Sequence, residues 1–202
     1  MRNNWLIQNS LRNGKLPLTI CVIAVLIQLG GGEVGEWLRY DRNDILSGEV
    51  WRIFSGHLVH LGWSHLIMNI CGLAFVWLLF GHLIKPSTWL WISVASAAGI
   101  SSAMMLFDPM LEWYVGFSGV LHGMLIAGIV ISININTTYR AELLLLLLLL
   151  AKLFWEQLIG PLPGSANVAE GKVIVDAHLY GAISGLVASL FLFNNTFRRV
   201  TE

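Results

Sequence analysis

The sequence predicts an all-α membrane protein, a bundle of six transmembrane helices, on three observations. Hydrophobic residues make up 56% of the chain and charged residues 12%, against about 25% charged in an ordinary soluble domain. Six apolar runs approach the ~20 residues needed to cross a bilayer core. Two of those runs carry stripes of small residues at helical spacing, the pattern that lets membrane helices pack backbone to backbone. A mean hydropathy of +0.70 agrees. The zero net charge argues against nucleic acid as a partner and leaves the lipid bilayer as the expected surroundings.

The runs fall at about 16–32, 62–81, 88–107, 117–134, 142–159 and 177–194, in a single domain over 1–202. The first follows a basic leader with Arg2, Arg12 and Lys15. It ends in Leu29-Gly30-Gly31-Gly32-Glu33, a poor signal-peptidase site, so it reads as a retained helix. A polar segment, 33–56, precedes the second run. The fifth contains an unbroken leucine stretch, Leu143 to Leu150, and the sixth runs toward Arg198 and Arg199. Cys21 and Cys71 both sit in apolar runs, which favours two buried thiols over a disulfide framework. With the N-terminus in the cytoplasm, Arg2, Arg12, Lys15, Lys85, Arg140, Arg198 and Arg199 lie inside, and Arg39, Arg42, Arg52, Lys152 and Lys172 lie outside. That bias predicts both termini inside.

The fourth run opens on Gly116-Phe117-Ser118-Gly119-Val120-Leu121-His122-Gly123, with Gly119, Gly123 and Ala127 on one stripe. The sixth contains Ala177-His178-Leu179-Tyr180-Gly181, with Ala177, Gly181, Gly185 and Ser189 on one stripe. The second, fourth and sixth runs all start on the outer side. Ser118, His178, His65 and Asn69 therefore share one depth. Packing the two stripes together brings a hydroxyl to an imidazole, as nucleophilic catalysis by serine requires. Ser118 reads as the nucleophile and His178 as its base. His65 and Asn69, four apart on one face, and the free N–H of Ser118 read as donors to an oxyanion. His122, one turn beyond Ser118, is placed to pack on His178. Asp176 points away from His178, and no other carboxylate lies clearly within a helix core at this depth, so a Ser-His dyad is expected. Lys152 and Glu156, four apart, read as a pair at the outer end of the fifth helix.

Each feature alone has a plainer reading. A serine between glycines is more often packing glue than a nucleophile. An intramembrane histidine is as readily a polar contact as a functional group. His57, His60 and His65 hint at a metal site, but no Cys, Asp or Glu accompanies them, so no metal or cofactor is expected. The flanking tryptophans fit an interfacial belt. The joint occurrence at one depth favours catalysis.

These residues resemble the rhomboid intramembrane serine proteases. Gly116-Phe117-Ser118-Gly119 is similar to the family's G-x-S-G motif, and Ala177-His178 with Gly181 and Gly185 to its A-H-x-x-G-x-x-x-G motif. His65 to Asn69 resembles H-x-x-x-N, Trp51-Arg52 the W-R motif, and His60 the extra histidine before the second helix. The resemblance implies a six-helix bundle with a water-filled cavity opening to the outer face. Ser118-Gly119-Val120-Leu121-His122-Gly123 is similar to the rhombosortase subgroup, with His122 where many rhomboids have a tyrosine on the catalytic histidine. Lys85 stands where many have a glutamate, a departure at the inner side. The subgroup implies a bacterial cytoplasmic membrane protein, N-in and C-in, with its site opening to the periplasmic side. Its implied partners are exported proteins with a C-terminal tail made of a Gly-Gly motif, an apolar segment and a basic end. Alternatives are a general rhomboid protease with other single-span substrates, or a non-catalytic binder of membrane segments. A transporter would show an inverted repeat and discontinuous helices, and the sequence shows neither.

Overall fold

A computed structural model describes residues 14–135 and 138–201, with side chains as far as Leu192. Six long helices follow the apolar runs: α1 Lys15–Leu29, α5 Trp63–Phe80, α6 Pro86–Phe107, α7 Ser118–Ile135, α8 Arg140–Leu158 and α10 Asp176–Thr201. Shorter pieces lie between them: α2 Gly31–Leu38, α3 Arg42–Leu46, α4 Arg52–Ser55 and α9 Ser165–Val168. Among the described residues, three helices, α5, α6 and α7, are long and apolar enough to cross a membrane. The apolar stretches of α1 and of α10 (Asp176–Leu192) are shorter, and α8 carries Arg140, Glu142, Lys152 and Glu156.

The first apolar run was expected to continue to residue 32, and the structure corrects this. The helix stops at Leu29, and Gly31 takes a φ of +73° that only glycine adopts freely. The chain then turns into α2. The following segment is ordered by charge. The Arg42 guanidinium donates to the carbonyls of Met104 (2.8 Å), Met105 (3.1 Å) and Asp108 (2.9 Å), satisfying the unpaired C-terminal end of α6. Arg52 is buried, so its charge needs partners. It has Glu49 at 2.7 Å, Asp44 at 3.0 Å and the carbonyls of Glu36 and Arg39.

An antiparallel ladder joins this segment to the entry of α7, pairing Tyr40 with Tyr114 and Asp41 with Trp113. The Tyr114 hydroxyl donates to the Gly116 carbonyl at 2.8 Å, and the Gly116 N–H donates to the Gly56 carbonyl at 3.2 Å. The turn before Ser118 is thereby pinned from two sides.

The helices α7 and α10 meet along the small-residue stripes. A methyl on Gly181 would overlap the Gly119 carbonyl, and one on Gly185 would overlap the Gly123 carbonyl. Such backbone proximity maximises van der Waals contact, the main force between helices in lipid. The core beside this seam contains Trp89, Ile92, Ile100, Met104, Met124 and Ile129. Leu78, Leu144, Leu147 and Phe154 are exposed, as side chains facing lipid would be.

Candidate active site

Ser118 is the first residue of α7, and His178 lies in the first turn of α10. The close crossing places Ser118 Oγ 3.0 Å from His178 Nε2. His178 is buried. His122 stacks on it, with centroids 4.3 Å apart and planes inclined by 18°. The His122 ring is itself fixed, because its Nδ1–H donates to the Ser118 carbonyl at 2.7 Å.

Both residues of the H-x-x-x-N pattern reach the same cavity. Its volume is about 470 Å³, and its walls include His65, Asn69, Ser118, His122 and His178. The Leu61 N–H donates to His65 Nδ1 at 3.4 Å, which leaves the hydrogen of a neutral ring on Nε2. Nε2 is turned toward Gly116, where an added Cβ would lie 3.1 Å from it. The Asn69 amide donates one hydrogen to the His65 carbonyl at 3.0 Å and has a second left. Gly116, with φ +124°, leaves the space beside His65 open. Gly119 and Gly181 bring the two helices together. The structure thus gathers Ser118, His178, His65, Asn69 and His122 into one place.

The expectation that no carboxylate reaches His178 is corrected. Glu156 Oε2 lies 2.9 Å from His178 Nδ1 and is 3% exposed. Leu149, Leu153 and Glu156 form the buried face of α8, and that face turns Glu156 inward rather than toward the outer surface. Lys152 does pair with Glu156, at 2.6 Å. The sequence signal was this charged pair in an otherwise leucine-rich helix. Hydropathy located it near the helix end but could not say which way it faced.

The other histidines are distributed differently. His57 is fully buried, with Nε2 on the Ala97 carbonyl (3.1 Å) and Ser101 Oγ (3.0 Å). Burial lowers its pKa to about 4. His60 packs edge-on against His65 at 5.0 Å. Its pKa is also lowered to about 4, by burial first and by the neighbouring His65 second. Among the described residues, the three potential ligands that approach within 4.8 Å are His122, Glu156 and His178. Glu156 is already engaged by the Lys152 ammonium at 2.6 Å.

Below Ser118 the cavity walls turn apolar, with Met68, Gly72, Phe75 and Val76 from α5 facing Leu145, Leu148 and Leu149 from α8. Above it, the loop before α10 contributes Leu162, Ala169, Lys172 and Ile174. The arrangement is a hydroxyl, a base and several donors at the head of a greasy crevice.

A family model described as the Rhomboid domain matches residues 47–195. The chain belongs to the rhomboid family, whose members are generally intramembrane serine proteases acting on membrane proteins within the bilayer, with non-catalytic members among them. A search of curated proteins finds no match to the chain.

Proposed function

We propose that the protein is an intramembrane serine endopeptidase of the rhombosortase type. It cleaves the C-terminal Gly-Gly tails of exported proteins at the periplasmic face of a bacterial inner membrane. The observation carrying this reading is the 3.0 Å contact between Ser118 Oγ and His178 Nε2 at the head of an apolar crevice. Ser118 attacks the scissile carbonyl as its proton passes to His178 Nε2. The oxyanion is met by the Ser118 N–H, His65 Nε2–H and Asn69 Nδ2–H. The imidazolium then protonates the leaving amine, and water admitted through the cavity hydrolyses the acyl-enzyme with His178 as base. All six long helices span, with both termini in the cytoplasm. No metal or cofactor takes part.

The walls of Met68, Phe75, Leu145 and Leu148 suit an apolar tail segment. A helix hydrogen-bonds its own carbonyls, so the scissile bond must be unwound first. Glycine lowers that cost by roughly 1 kcal/mol per residue relative to alanine, and it has no side chain to press on His122. The test is co-expression with a tailed substrate and mass determination of the released C-terminus. Ser118→Ala and His178→Ala abolish release while the protein stays folded, and valine in place of both substrate glycines stops cleavage by the wild type. Release by Ser118→Ala would end the protease reading. Equal cleavage of the valine tail would leave a general rhomboid protease. Stable capture of single-span proteins without cleavage would mark a non-catalytic binder.

A further inference from the structure

We infer that Glu156 sets the tautomer of His178 against Lys152: it selects the form that acts as a base and engages the ammonium that would select the other. This rests on reading Ser118 and His178 as nucleophile and base. Nε2 can take the Ser118 proton only if it carries a lone pair, so a neutral ring must keep its hydrogen on Nδ1. What faces Nδ1 therefore decides whether the site works.

Two groups on α8 face Nδ1, one helical turn apart. Glu156 Oε2 is at 2.9 Å and Lys152 Nζ at 3.3 Å. A carboxylate only accepts, so it draws the hydrogen to Nδ1 and leaves Nε2 free for Ser118. An ammonium only donates. Bonded to Nδ1, it would force the hydrogen onto Nε2, and Ser118 would face a donor instead of a base. The two neighbours favour opposite tautomers.

The geometry resolves the conflict through one atom. Lys152 Nζ is 2.6 Å from Glu156 Oε2, closer than to the ring, and that same oxygen faces His178 Nδ1. Glu156 engages the ammonium and accepts the Nδ1–H together. Burial makes the partnership mutual. A carboxylate 3% exposed needs a counter-charge to stay ionised, and Lys152 is the adjacent cation. When His178 takes the Ser118 proton, Glu156 stabilises the imidazolium and takes no proton itself. Both are positioning residues, because the scissile bond never touches them.

The test uses the full chain in proteoliposomes and a fluorophosphonate probe, so that no natural substrate is needed. The Ser118 Oγ–phosphorus bond forms, fluoride leaves, and the hydroxyl proton passes to His178. Losing the carboxylate behind a catalytic histidine costs up to about 10⁴-fold. Glu156→Gln should therefore slow labelling by about 10²-fold or more, because the released Lys152 turns to Nδ1. Adding Lys152→Met to Glu156→Gln should restore labelling at least about tenfold, since the glutamine carbonyl then accepts Nδ1–H unopposed. A role in folding alone would give no such rescue. Ring ¹⁵N spectra, with His178 assigned by its loss in His178→Gln, give a second reading: Nε2 bare in the wild type, protonated in Glu156→Gln, and bare again in the double variant. Wild-type labelling by Glu156→Gln, a double variant as slow as the single one, or a wild-type ring protonated on Nε2 would each overturn the inference. If wild-type Ser118 does not label at all, the protease reading fails, and the ¹⁵N tautomer still decides the role of Glu156.

Discussion

The crossing of α7 and α10 sets the distance between Ser118 and His178, and Gly119→Ala tests that directly. Gly119 follows Ser118 in the chain, and Ala177 precedes His178. A Cβ on Gly119 would lie 2.7 Å from the Ala177 carbonyl oxygen and 2.9 Å from Ile100 Cδ1. The isoleucine tip can swing away, but the carbonyl is backbone and cannot. A relaxed carbon–oxygen contact is at least about 3.3 Å, so the helices must part by roughly 0.6 Å at this point. Applied along the Ser118–His178 line, that displacement stretches the 3.0 Å contact to about 3.6 Å, where a hydrogen bond is lost. Misplacement of about 1 Å costs on the order of 10²-fold in rate, so fluorophosphonate labelling of Ser118 should slow by roughly 10- to 100-fold. Overpacking should also lower stability by about 1–3 kcal/mol, read as a lower Tm in detergent. The control is Gly32→Ala, where an added Cβ meets nothing within 4 Å, and it should label at the wild-type rate. Wild-type labelling and Tm for Gly119→Ala would refute the claim that this seam sets the geometry.

Two further outcomes follow from polar groups away from the seam. Replacing both His65 and Asn69 with alanine should lower kcat by at least the 10²–10³-fold typical of one lost oxyanion donor, with a smaller loss for Asn69→Ala alone; unchanged turnover in the double variant would remove both from the mechanism. Stability should also fall in acid, because burial depresses the folded-state pKa of His57 from 6.5 to about 4. The unfolded chain binds the extra proton between those values, so the contribution is complete above about pH 6.5 and lost as pH drops toward 4. It amounts to roughly 3 kcal/mol. Thermal unfolding from pH 7.5 to 4.5 measures it, and a flat Tm over that range would refute it.

The parts of this molecule that were legible in the sequence are those written in local periodicity. Apolar runs placed the long helices because lipid demands length and hydrophobicity regardless of neighbours. The stripes through Gly119 and Gly181 announced a close crossing because only small residues permit one. Ser118 and His178 followed, each sitting beside its stripe. Glu156 was not legible for the opposite reason. Whether a charged pair near a helix end faces water or a neighbouring ring depends on the rotation of α8, and a leucine run that is apolar all round carries no phase. The Tyr40–Asp41 and Trp113–Tyr114 ladder, two residues a side, was too short to alternate visibly. The break at Gly31 was written as three successive glycines, but hydropathy averages over glycine and ran the helix through them.

On the proposed reading the site lies at membrane depth, where its groups have little water to satisfy them. Most of the groups here are satisfied within the protein. Ser118 meets His178, His178 meets Glu156, Glu156 meets Lys152, and His122 meets the Ser118 carbonyl. The chain of contacts runs from a helix N-terminus to a cation facing the cavity, so no buried charge is left unpaired along it. Beside the Ser118 N–H, two side-chain donors remain uncommitted, one hydrogen of Asn69 and the Nε2–H of His65. Both lie on α5, across the cavity from the seam that joins α7 to α10. Ser118 and His178 are thus held to each other, while groups on a separate wall keep free donors. On the proposed mechanism these are the donors that an oxyanion would meet.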